Sequence, residues 1–199
     1  GKIHLSCELF PPKQGAELQN SLEIVNKIAA STPSYMSVTY GAGGSTVGYS
    51  AALAKKVEDN GMPALAHLTC VKADEAKLAE VLGQLQGFGV KNILALRGDI
   101  PADMQGEEIG SFAHASELMR FVKQQGDFCV GGAAYPEGHP ESGSLEKDIE
   151  NTKYKVDAGV DFLVTQMFFD NTICITICSA CCVRHQCAGG AGHYAGDEC

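Results

Sequence analysis

A carboxylate sits inside an apolar run near the start of the chain, in Cys7-Glu8-Leu9-Phe10. A charge in such a place is costly unless it is used, and desolvation favours the protonated form that a general acid needs. The alternative is a strand-end glutamate paired with a neighbouring base. A second candidate is Arg97-Gly98-Asp99, which follows the apolar run Asn92 to Leu96. Its glycine would let a ligand approach the backbone, and its flanking charges could hold polar ligand edges; a salt-bridged turn fits the tripeptide equally well. His67 precedes Leu68-Thr69-Cys70, where a lone histidine is more often structural than a ligand. The segment Ala134 to Pro140 reads Ala-Tyr-Pro-Glu-Gly-His-Pro, dense in aromatic, histidine and proline residues. Asp148, Asn151 and Lys155 then recur at helical spacing, either as a binding face or as a solvated one.

These residues need elements to position them. Short apolar runs alternate with amphipathic stretches. Strands are expected over Ile3 to Phe10, Tyr35 to Tyr40, Ala64 to Cys70, Asn92 to Leu96, Phe128 to Tyr135 and Phe162 to Phe169. Helices are expected over Leu18 to Ala30, Ser50 to Asn60, Ala73 to Gly87, Ser116 to Gln125 and Ser144 to Ala158. A repeating strand–helix order implies a parallel sheet with helical crossovers. An open doubly wound sheet would carry a Gly-x-Gly-x-x-Gly turn after the first strand, whereas this turn begins Pro-Pro-Lys-Gln-Gly. The unusual polar residues Glu8, Thr39, His67, Asp99, Tyr135 and Gln166 instead sit at the C-terminal ends of strands, where a (βα)8 TIM barrel builds its active site. The expected fold class is therefore α/β, an incomplete barrel with about six βα units.

Composition narrows the partners. The chain has 199 residues, 45% hydrophobic and 20% charged, with a net charge of −9. That balance argues against a nucleic-acid groove or an anionic membrane surface as partner. No apolar run is long enough to cross a bilayer, and Gly1-Lys2-Ile3-His4 does not read as a signal peptide. Of nine cysteines, only Cys7, Cys70 and Cys129 fall in the first 170 residues. The body is accordingly expected to be reduced and cytoplasmic.

Six ordered segments together resemble the methylenetetrahydrofolate reductase family of bacterial type. They are Cys7 to Pro12, Ser37 to Gly44, His67 to Cys70, Leu96 to Asp99, Ala133 to Pro140 and Thr165 to Asp170. The resemblance covers residues 1–171. It implies a barrel that binds FAD at its strand ends and works by ping-pong hydride transfer. NADH or NADPH passes hydride to the flavin. Methylenetetrahydrofolate then receives it and becomes 5-methyltetrahydrofolate, in the one-carbon metabolism that serves methionine synthesis. The resemblance makes Glu8 the general acid and Asp99 a pterin contact whose charge tunes the flavin. Gln166 becomes a contact to folate and nicotinamide. It assigns FAD to Thr39, Tyr40, Ala42, His67, Arg97, Gly98, Asp99, Ala115, Tyr135, His139, Ser142, Asp148, Asn151 and Lys155, with Arg97 and Lys155 facing its anionic portions. His114, Tyr154 and Ser142 depart from the residue types expected at their positions. The family further implies a homo-oligomer, a small-molecule folate partner and no metal.

Residues 172–199 differ in kind, crowding in Cys174, Cys178, Cys181, Cys182, Cys187 and Cys199. A Cys/His metal site is one reading, but thiolates this close rarely form a lone zinc site without a second pair farther off. The other reading is an out-of-frame tail. His185 to Cys199, back-translated and read one nucleotide later, permits Ile-Asn-Val-Pro-Val-Val-Pro-Gly-Ile-Met-Pro-Val-Thr-Asn, which resembles the family's seventh strand and following loop. On that reading two strands are lost, open edges remain, and an inactive remnant of the enzyme is the alternative function.

Overall fold

The computed structural model describes residues 4–40, 47–99, 110–170 and 172. Its elements alternate as expected. The strands are β1 (Ser6–Leu9), β2 (Tyr35–Val38), β3 (Ala64–Thr69), β4 (Asn92–Leu96), β5 (Cys129–Ala134) and β6 (Phe162–Thr165). The helices are α1 (Leu18–Ala29), α2 (Val47–Asp59), α3 (Glu75–Gly87), α4 (Ala115–Gln125) and α5 (Leu145–Asp157). All neighbouring strands pair in parallel, and their order in the sheet is their order in the chain. A doubly wound sheet reverses its strand order at a switch point; this one does not. Successive helices pack against one another along the sheet. The result is a curled α/β half-barrel. Eight units are not seen, and among the described residues β1 and β6 each pair on one side only.

Alternation along the strands divides the sheet into two faces. In β3, Ala64, Ala66 and Leu68 enter the core beneath the helices, with Val25, Met36, Leu53, Val57, Leu78, Ile93, Leu118, Met119 and Val130. The intervening Leu65, His67 and Thr69 face the concave side. Small residues let the layers meet closely: a Cβ on Gly131 would lie 2.4 Å from the Phe162 ring, and one on Gly132 would lie 2.8 Å from Met119.

Two boundaries differ from expectation. The last strand ends at Thr165 instead of Phe169. Gln166 N–H still donates to Ala134 O at 2.8 Å, but β5 stops there and Pro136 leads the chain away, so the ladder has no further partner. Helix α2 begins at Val47, earlier than Ser50. The cysteine-rich segment 173–199, with both readings attached to it, lies outside the described residues.

Asp161 ties three elements together. Its Oδ2 accepts the backbone N–H of Val130 at 2.6 Å and Nζ of Lys123 at 2.5 Å, while Lys123 also donates to Phe128 O at 3.0 Å. Val130 is fully buried, so deleting the acceptor strands a donor. Asp161→Ala is expected to lower the unfolding free energy by about 1–3 kcal/mol, measured by denaturant titration. An unchanged midpoint would contradict this account of the β5–β6 junction.

Candidate functional site

The C-terminal ends of β3, β4 and β5, with the first turns of α4 and α5, enclose a cleft of about 800 Å³, within the size range of ligand pockets. Parallel pairing produces it, because every strand delivers its following loop to the same edge.

Strand β4 delivers Arg97, Gly98 and Asp99 to the wall. Gly98 has φ +87°, and a Cβ there would lie 3.1 Å from Cβ of Thr69, so only glycine suits the position. Arg97 Nη1 meets Glu141 Oε2 at 2.7 Å. Their hydrogen bond raises the guanidinium above its usual range and lowers the carboxyl below its own. A ligand anion would compete with Glu141 for Arg97.

Strand β5 and its loop supply Tyr135 and His139, whose rings meet edge to face with centroids 4.6 Å apart. Burial raises the Tyr135 phenol, with Asp148 and Asp99 adding to the shift. The short 3₁₀ turn Pro140–Ser142 brings Ser142 to the first turn of α5, where Ser142 Oγ donates to Asp148 Oδ1 at 2.8 Å. Ser144 caps α5 by accepting the Lys147 N–H. From that helix Asp148, Asn151 and Lys155 all face the cleft, so the helical spacing marks one cleft-facing side of α5.

Asp148 is 4% exposed, and among the described residues its Oδ2 has no hydrogen-bond partner. A buried carboxylate oxygen without a donor is costly, and a ligand hydroxyl or N–H would satisfy it. Lys155 is half-buried; Nζ donates to Ala133 O at 2.6 Å and lies 5.9 Å from the Tyr135 ring centroid. Burial lowers its pKa, and the Asp148 charge partly restores it.

Of the expected site residues, Tyr40, Arg97, Gly98, Asp99, Ala115, Tyr135, His139, Ser142, Asp148, Asn151 and Lys155 line this cleft. Thr39, His67, Glu8 and Gln166 do not. Ala42 lies outside the described residues. Thr39 uses its backbone, donating to Leu9 O at 2.9 Å and accepting from Ser50 Oγ at 3.0 Å. Gln166 is exposed at the end of β6. Glu8 lies on the concave face, its Oε2 3.7 Å from His67 Nε2. Its side chain is 48% exposed, which corrects the expectation of a desolvated carboxylate: β1 is an edge of the described sheet, and among the described residues its concave side is open. The cleft also includes Thr69, Lys72, Glu141 and Lys147, which sequence reasoning missed, and His114 and Tyr154, noted only as departures. Lys72 has φ +61°, a strained conformation of the kind found at functional sites; its only sequence signal is its place just after the His67 to Cys70 motif.

Among the described residues no helix is long and apolar enough to cross a membrane, and no cluster of ligating side chains could hold a metal.

Fold and site define an α/β half-barrel protein with a cleft at its strand ends. The chain belongs to the methylenetetrahydrofolate reductase family, whose model matches residues 1–188 and so continues past Asn171 into the cysteine-rich segment. It is 40% identical over 182 residues to methylenetetrahydrofolate reductase 2 of Schizosaccharomyces pombe, covering 85% of this chain and 28% of that protein. It is 36% identical over 171 residues to 5,10-methylenetetrahydrofolate reductase of Escherichia coli, covering 85% and 56%. The chain thus spans about half or less of these relatives. Among solved structures, 2,3-dimethylmalate lyase aligns with a TM-score of 0.59 at 10% identity, covering 89% of this chain and 62% of that one. An uncharacterized protein from Clostridium thermocellum that binds two copies of 5-methyl-5,6,7,8-tetrahydrofolic acid aligns with a TM-score of 0.58 at 12% identity, covering 90% and 60%. These two likenesses show the fold alone.

The site carries a pH signature. Burial lowers the His67 pKa below 6.5, while the Glu8 charge opposes the shift. The folded chain therefore favours the neutral ring, whereas the unfolded chain takes up its proton near 6.5. The unfolded state binds more protons there, so stability present above that value is lost as pH falls through it. The unfolding free energy is expected to decline more steeply below pH 6.5 in the unmodified chain than in His67→Gln; equal slopes would contradict the reading.

Proposed function

We propose that this chain is the FAD-binding barrel portion of an enzyme that reduces 5,10-methylenetetrahydrofolate to 5-methyltetrahydrofolate with NADH or NADPH, on a (βα)8 barrel in the cytoplasm. Family membership supports the reaction class, and the folate-binding neighbour is consistent with a folate ligand. The observation that carries the cofactor reading is Asp148 Oδ2, buried without a partner among the described residues, beside the half-buried Lys155 in a cleft of about 800 Å³. These residues fit FAD. Arg97 and Lys155 would hold its diphosphate, Asp148 and Asn151 its hydroxyl and amide groups, and Tyr135 an aromatic face. Asp99 would sit beside the ring and the pterin. The chemistry FAD supplies when bound is two-electron transfer from NAD(P)H to the folate in two separate, ping-pong halves.

Glu8 would give its proton to the folate nitrogen that leaves the five-membered ring, opening the ring to an iminium ready to accept hydride. Gln166 would orient the folate and then the nicotinamide through its side-chain amide. A second reading, binding without turnover, is favoured by the half-exposed Glu8 and the two open sheet edges. Glu8→Gln separates them. In the FAD-reconstituted chain, folate reduction is expected to fall by about 10²–10⁴-fold, while NAD(P)H still bleaches the flavin absorbance. A variant as active as the unmodified chain would overturn the role of Glu8. A chain that takes up FAD but never passes electrons to folate would support the second reading.

A further inference from the structure

Three adjacent strands place one carboxylate and two donors on the concave face. Glu8 of β1 lies across from Ser37 of β2, and Ser37 across from Leu65 of β3; His67, two residues on in β3, shares their face. Ser37 is 8% exposed, and its hydroxyl donates to Oε2 of Glu8 at 3.5 Å. A buried hydroxyl needs a partner, and Glu8 is the one it has. His67 Nε2, on a ring largely withdrawn from solvent, lies 3.7 Å from the same oxygen. Both groups converge on Oε2. Among the described residues no donor reaches Oε1, and the side chain as a whole is half exposed.

We infer that Ser37 and His67 are positioning residues for Glu8: they anchor Oε2 and so make Oε1 the oxygen that carries the transferable proton. The inference rests on the reading of Glu8 as the acid in the proposed reaction. A carboxyl group carries one proton, and donors aimed at one oxygen make the other the better seat for it. The anchor also fixes a flexible side chain on an uncovered face, removing rotational freedom that proton delivery would otherwise have to overcome. His67, whose charged form burial disfavours, is a neutral donor in waiting: its Nε2–H would reach Oε2 once the 3.7 Å gap closes. From β1 it faces Glu8; from the end of β2 Thr39 follows in register, with Tyr40 lining the same small cavity; from β4 it faces the apolar Leu94. Glu8 is thus the charge that acts on it. Apo geometry at such sites is often long and tightens only with substrate bound.

Two measurements test the inference. The first needs no cofactor: ¹⁵N–¹H NMR of the imidazoles in the full chain. His67 is expected to carry its proton on Nε2, and Glu8→Gln is expected to lower the His67 titration midpoint, because the charge that raises it is gone. A proton on Nδ1, or a midpoint unmoved by Glu8→Gln, would overturn the anchor. The second uses the FAD-loaded chain. Ser37→Ala is expected to slow folate-dependent reoxidation about tenfold, with the folate KM little changed and reduction by NAD(P)H slowed less. Ser37→Thr, which keeps the hydroxyl, is expected to restore the rate. Equal slowing of both halves, or no rescue by threonine, would show a merely structural role. If the unmodified chain never reduces folate, the proposed function fails, and the NMR result still decides whether Ser37 and His67 hold Glu8.

Discussion

Parallel pairing in strict chain order is the constraint on which the rest depends. Each strand must be followed by a crossover long enough to return to the same end, so every loop after a strand emerges at one edge of the sheet. Helices occupying those crossovers cover the convex face and bury Val25, Met36, Ile93 and Val130 beneath them. The concave face and the strand ends are left for polar residues. Glu8, Ser37 and His67 lie on that face, and Arg97, Asp99 and Tyr135 at its rim, without disturbing the core that holds the strands in place.

The cleft itself is an electrostatic arrangement in a half-dry setting. Asp148 and Lys155, two turns apart on α5, are both withdrawn from water. Among the described residues Ser142 Oγ donates to the carboxylate, and the ammonium donates to the Ala133 carbonyl beside the Tyr135 ring. Neither is fully satisfied by those contacts, and a carboxylate oxygen remains orphaned. Opposite them, Arg97 is neutralised by the exposed Glu141. A surface partner of this kind is weakly held and easily displaced. The combination suits a ligand with both hydroxyl donors and negative charge.

Much of this was legible in the sequence because it is local. The apolar runs of β3 and β4 mark their strands, and Asp148, Asn151 and Lys155 mark a face by their spacing alone. The strand-end positions of Asp99 and Tyr135 pointed to the rim where the structure places them. What was not legible depends on contacts far apart in sequence. Nothing near Glu141 signals that it reaches Arg97, 44 positions earlier. The end of β6 is set by where β5 turns away at Tyr135-Pro136. The exposure of Glu8 depends on what covers β1, which no neighbour in sequence reveals, and Lys72 reached the cleft through a backbone conformation unusual for lysine.

A flavin-dinucleotide site in the strand-end cleft, as proposed, would depend on Asp148 and Lys155 of α5. The direct measurement is a fluorescence titration of FAD with the full chain and with Lys155→Ala and Asp148→Asn. The account predicts saturable quenching at one FAD per chain, weakened by about tenfold or more in Lys155→Ala and also weakened in Asp148→Asn. No quenching by the folded, unmodified chain, or equal affinity in all three, would contradict it.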